Sequence, residues 1–188
     1  SITLPATGMI GLSGESGSGK STLIKVVSGE LHSFKGSVVC FGKSLKGLSD
    51  VERRDYRIHN VGILTQTVDL LESETAMNNV MFILDSCFEG KASLKRRRAM
   101  DLLCFAGCSN FVNSDVNKLS GGQRQKVGLA CSMANDPKLL LADEPTGALD
   151  PQSAKEMMEC LRGISKSRLV IVASHDTELL EEYCCLLY

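Results

Sequence analysis

At 188 residues the chain is long enough for one domain with a real core. Its 21 Lys plus Arg against 22 Asp plus Glu leave a net charge of −1, which makes no electrostatic case for nucleic acid as the main ligand. No apolar run of about 18 residues occurs, so no membrane span is expected, and the amino end lacks the basic-then-apolar order of a signal peptide.

The chain opens on Ser1 in mid-strand pattern, as a piece of a longer protein would. Met9-Ile10-Gly11-Leu12 is a short apolar run that reads as a buried strand, and Thr22-Leu23-Ile24-Lys25-Val26-Val27 reads as the first turns of a helix. Between them lies Gly14-Glu15-Ser16-Gly17-Ser18-Gly19-Lys20-Ser21-Thr22, a complete G-x-x-x-x-G-K-[ST] phosphate-binding loop. Glycines let successive N–H groups converge on phosphate oxygens. The following helix aims the positive end of its dipole at the anion. Lys20 is expected to reach the β- and γ-phosphates, and the Ser21 hydroxyl to ligate Mg2+. A nucleoside triphosphate is therefore the expected ligand.

Gly36-Ser37-Val38-Val39-Cys40-Phe41-Gly42 has the composition of a strand bounded by glycines. Leu48 to Arg54 reads as a short helix, with Ser49 or Asp50 as its N-cap. Val61-Gly62-Ile63-Leu64-Thr65 is another apolar strand, ending at Gln66. From Thr75 to Phe111 the character turns helical, with Met77, Val80, Met81 and Leu84 at helical spacing. Lys95-Arg96-Arg97-Arg98, beside Met100, Leu102, Leu103 and Phe105, reads as the solvated face of an amphipathic helix. An α/β core is thus expected to carry a helical insertion of roughly 50 residues.

Further along, Ser120 is a good N-cap before Gly121 and Gly122, with a helix expected from about Gln123. That makes a second helix N-terminus suited to phosphate, where one nucleotide needs only one. Leu139-Leu140-Leu141-Ala142 reads as a strand buried on both faces, delivering Asp143 and Glu144 at its carboxyl end, where open α/β sheets place ligands. Leu169 to Ser174 is a further core strand, ending at His175. The eight cysteines include no C-x-x-C. A nucleotide-binding protein working in reducing cytosol uses such thiols as small apolar filler.

Leu119-Ser120-Gly121-Gly122-Gln123 resembles the signature of ATP-binding cassette (ABC) ATPases, and with the phosphate loop and the Asp143-Glu144 pair the resemblance covers essentially the whole chain. It implies a P-loop (RecA-like) α/β core with a parallel sheet, a small antiparallel β portion and an inserted helical subdomain. The implied division is a core of about 1–70 and 124–188 with a helical subdomain of about 71–123. ATP and Mg2+ are the implied cofactors. Gly14 to Thr22 would hold the nucleotide of one chain, and Ser120, Gly121, Gly122, Gln123 and the D-loop residue Asp150 that of its partner in a head-to-tail homodimer. Asp143, with Ser21 and Gln66, is implied at the metal. Glu144 is placed as general base, and His175 resembles the switch histidine that meets the γ-phosphate.

A transmembrane permease is the implied partner, with the chain on the cytoplasmic side of the membrane and no nucleic acid expected. The 141–150 stretch and Thr75-Ala76-Met77-Asn78-Asn79-Val80 look like the subgroup serving macrolide efflux, lipoprotein extraction, peptide export and cell-division remodelling. That implies an export or mechanotransmission type. A soluble cassette ATPase in translation or on DNA is the alternative, and a small P-loop kinase would leave the signature and His175 unexplained. Cys131 and Cys185 depart from the Arg and Asp common in the family, and no aromatic precedes Phe34 to stack on adenine.

Overall fold

A computed structural model describes residues 2–187, and for Leu186 and Leu187 the backbone alone. Residues 2–5 carry no regular structure, so the mid-strand pattern at the amino end makes no strand there, and Ser1 lies outside the described residues. The chain then runs β1 (Gly8–Ser13), α1 (Lys20–Val27), β2 (Val39–Cys40), β3 (Lys43–Ser44), α2 (Asp50–Asn60) and β4 (Val61–Thr65). Two helices follow, α3 (Ala76–Cys87) and α4 (Ala92–Phe105), with short 3-10 turns at Ser109–Phe111 and Val116–Lys118. The second half is α5 (Gly121–Ser132), β5 (Leu139–Asp143), α6 (Pro151–Ser165), β6 (Leu169–Ser174), α7 (Thr177–Tyr183) and β7 (Leu186–Leu187).

Five strands form one parallel sheet in the order β4-β5-β6-β1-β7, and β2 with β3 forms a separate antiparallel hairpin. Alternation along each strand divides the core in two. Met9, Leu64, Leu140, Ala142, Val170 and Val172 face α3, α4, α5 and α6. Ile10, Val61, Leu139, Leu141, Ile171 and Ala173 face α1, α2 and Leu45 on the other side. A strand with no polar position is what a sheet covered on both faces requires. The register pairs Thr65 with Asp143, Asp143 with Ala173, and Ser13 with Ser174. These four strands therefore end level, and the loops leaving their carboxyl ends emerge along one edge.

Several expectations change in detail. The 36–42 strand shrinks to two residues, because Val39 is 66% exposed and has no core to face. The helix expected over Leu48–Arg54 starts as predicted, with a Ser49–Glu52 capping box, but continues to Asn60 because Tyr56 is buried and donates to Val27 O at 2.9 Å. The 75–111 region is two helices, separated where Phe88 takes extended backbone. The basic run splits by position: Arg96 and Arg97 are exposed, while Lys95 pairs with Asp85 at 2.8 Å and Arg98 lies over the Phe88 ring at 5.2 Å. Half of that run therefore pins α4 against its surroundings rather than facing solvent.

Candidate active site

The cleft forms where β1 gives way to α1. Gly19 caps α1 from the left-handed region (φ 99°), a conformation that favours glycine, and this lets the loop turn sharply into the helix. Ser16, Gly17 and Ser18 are exposed on the loop's crest. Lys20 Nζ folds back over the loop, donating to Gly14 O at 2.6 Å and Glu15 O at 3.0 Å. The next residue, Ser21, donates through Oγ to Asp143 Oδ1 at 3.1 Å, joining α1 to the carboxyl end of β5. Thr22 continues the helix, exposed.

Glu144 leaves β5 with φ 50°, rare for a residue with a side chain, and its N–H donates to Ala173 O at 2.8 Å. That turn swings its carboxylate over the sheet edge. Oε2 accepts from Ser174 Oγ at 3.3 Å and lies 2.9 Å from His175 Nδ1, while Oε1 is 3.9 Å from Lys20 Nζ. A carboxylate only accepts, so Nδ1 carries the shared proton. Gly14, Glu15, Ser16, Gln66, Glu144, His175 and Thr177 together line a cleft of about 590 Å³. Thr177 and Ser174 were not singled out in the sequence. Each falls beside His175, and Ser13 Oγ sits 2.9 Å from Thr177 Oγ1, so the level ends of β1 and β6 were the available signal.

The Ser21–Asp143 contact is the test of fit for a metal. Two hard oxygen donors beside a phosphate loop suit Mg2+, which keeps waters and substrate phosphates for its other positions. Among the described residues no three His, Cys, Asp or Glu side chains converge as an all-protein metal cage.

The signature residues lie elsewhere. Ser120 caps α5, accepting from Gln123 N at 3.3 Å while Gln123 Oε1 accepts from Ser120 N at 3.0 Å. The helix thus starts at Gly121, two residues earlier than expected. Gly122 faces Ser153 and Leu149 of the neighbouring segment. Asp150 caps α6, and the Ser153 hydroxyl followed by backbone N–H groups holds its carboxyl below the usual range. Neither Ser120 to Gln123 nor Asp150 lines the phosphate cleft. Among the described residues Gln66 alone borders both that cleft and a smaller crevice of about 150 Å³ that includes Gly121 and Leu149.

Residues 1–147 match the sequence profile of the ABC transporter family. The chain belongs to that family. Among curated ABC proteins it is 36% identical over 181 residues to the methionine import ATP-binding protein MetN of Corynebacterium diphtheriae, covering 95% of this chain and 53% of that one. The MetN of Clostridioides difficile is 36% identical over 186 residues, covering 98% and 57%. The chain thus spans about half the length of these curated relatives. Among solved structures, the dimeric bacterial ABC transporter cassette MJ0796 superposes with a TM-score of 0.88 at 31% identity, covering 96% of this chain and 80% of that one. The P-loop α/β fold with a parallel sheet, a small antiparallel sheet and helices is that of an ABC cassette. The export subgroup finds no counterpart in the MetN names, which are those of import proteins.

Proposed function

We propose that this chain hydrolyses MgATP as a head-to-tail dimer and that the dimer drives a membrane permease from the cytoplasmic face. One observation carries the reading. Among the described residues lining the phosphate cleft there is none of Ser120 to Gln123, and in this reading cleft and turn are each half of a site that a second copy completes. The dimeric cassette MJ0796 supports that arrangement.

In this reading the backbone N–H groups of residues 14–22 and Lys20 hold the triphosphate. Ser21, Asp143 and Gln66 hold Mg2+, which offsets phosphate charge when bound. Glu144 takes a proton from the attacking water as its oxygen bonds to the γ-phosphorus. The bond from that phosphorus to the β–γ bridging oxygen breaks, and ADP and phosphate leave. His175 orients the Glu144 carboxylate through Oε2, leaving Oε1 for the water. Ser120, Gly121, Gly122 and Gln123 of the second copy cover the γ-phosphate, with Asp150 at the contact.

The core is about 1–70 and 124–188, with 71–123 as the subdomain facing the permease. The MetN relatives favour an import permease, and the likeness of residues 141–150 to the efflux and extraction subgroup is the case for export or force transmission. Phosphate release by the purified chain tests the hydrolytic reading. The rate per chain is expected to rise with chain concentration. A rate per chain that stays constant on dilution below the dimer range overturns the split site.

A further inference from the structure

The segment from Thr65 to Glu72 carries Gln66 out of the sheet, and α5 grips it at both ends. At its start Gln125, only 4% exposed, donates through Nε2 to Thr65 O at 2.8 Å. In the middle Val68 is seated on Gly128, where an added Cβ would stand 2.5 Å from a Val68 methyl. At its end Glu72 pairs with both terminal nitrogens of Arg124, whose Nη1 also donates to Val116 O at 3.1 Å. A bidentate Arg–carboxylate pair fixes orientation as well as distance. The Glu72 carboxyl is held below its usual range by the Arg124 hydrogen bonds. Arg124 and Gln125 follow directly on the Ser120–Gln123 turn, in the first half of α5.

We infer that Arg124 and Gln125 are positioning residues, which clamp the Gln66 segment to the signature helix so that Gln66 and the Ser120 turn move as one body. Neither residue touches the phosphate cleft. They act through Gln66, and the inference rests on the hydrolytic reading above. Without the clamp the strand end at Thr65 still places Gln66 near the cleft, but its onward path is loose. Nucleotide affinity, set by residues 14–22, is unchanged, while the step that needs Gln66 and the Ser120 turn in register slows.

Hydrogen–deuterium exchange and steady-state ATP hydrolysis by the 188-residue chain test this, with Glu72→Ala, Glu72→Gln, Arg124→Ala and the Glu72→Ala/Arg124→Ala double variant. Glu72→Ala is expected to speed exchange over residues 66–71 and to lower kcat about 2- to 30-fold with KM for ATP unchanged. Glu72→Gln keeps one acceptor oxygen and recovers most of the loss. The double variant is no slower than Arg124→Ala alone, because the two act as a unit. Unchanged exchange over 66–71, losses that add in the double variant, or a change confined to KM each overturn the clamp. If the unsubstituted chain hydrolyses no ATP while exchange responds as expected, the clamp stands and the hydrolytic reading falls.

Discussion

Glu144 Oε2 and His175 Nδ1 lie 2.9 Å apart, joining residues that leave two adjacent parallel strands. The contact depends on the unusual backbone of Glu144, whose φ of 50° turns the side chain toward β6 and away from the strand axis. Strain of this kind persists only where surrounding contacts hold it, and here the Glu144 N–H bond to Ala173 O does so.

Replacing Glu144 with Gln keeps the size and an oxygen that accepts from His175 Nδ1, but removes the base. Hydrolysis is expected to fall by about 10²–10⁴-fold while ATP still binds. The variant should then accumulate as an ATP-dependent dimer in light scattering. A parental rate of phosphate release from Glu144→Gln would show that another group activates the water.

The split site makes a sharper demand. Mixing Lys20→Ala chains with Ser120→Arg chains leaves one intact composite site in each heterodimer, since each substitution spoils a different half. Hydrolysis by the mixture should partly recover relative to either variant alone. If heterodimers form and no activity returns, Ser120 does not face the other chain's phosphates.

Much of this site was legible because its chemistry sits at strand ends. A buried run such as Leu139 to Ala142 announces its own end, and Asp143 and Glu144 come directly after it. Glycine spacing likewise reported the loop before Lys20, since the turn into α1 needs a left-handed residue at Gly19. Local pattern does not report a partner distant in sequence. Thr177 lines the cleft because β1 and β6 are neighbours, and Arg98 faces inward because Phe88 and the Ala134 carbonyl, which accepts from its Nε, lie there. The hairpin at Val39–Cys40 misled for the opposite reason: Val38 and Cys40 pack on the core, but Val39 and Phe41 face outward, and only a two-residue ladder forms.

The eight cysteines are all free thiols, and burial sorts their reactivity. Burial pushes Cys108 and Cys131 up to about 12 and Cys184 to about 11, so little thiolate forms near pH 8. Cys104 and Cys185 are exposed. A thiol-reactive disulfide reagent at pH 8 should therefore label Cys104 and Cys185 rapidly, the half-buried Cys131 slowly, and Cys108 only on unfolding. Dithiothreitol should leave the melting temperature unchanged to within about a degree, because losing even one disulfide costs about 2–5 kcal/mol. A large drop in melting temperature would contradict the free thiols.

The purine base is where this cleft is poorest. None of the described residues lining it is a phenylalanine or tyrosine, and the chain has no tryptophan. Two of the tyrosines and Phe41 are engaged elsewhere. Tyr56 is buried against Val27, and Tyr183 sits under Arg162, 5.4 Å from ring centre to guanidinium. Phe41 carries Lys138 at 5.6 Å, at the amino end of β5 and so at the opposite end of that strand from Asp143. Tyr188 lies outside the described residues. Base stacking on an aromatic ring contributes about 1–3 kcal/mol, so a cleft without one should bind ATP roughly ten- to a hundredfold more weakly than one that has it. The phosphate contacts do not depend on the base, and ATP, GTP and tripolyphosphate should therefore bind residues 1–188 with similar affinity. Adding an amino-terminal strand that brings an aromatic ring over the cleft should tighten ATP more than tripolyphosphate. Calorimetry of the three ligands on both proteins measures this directly. Adenine-selective, micromolar binding by residues 1–188 would show that a non-aromatic side chain holds the base.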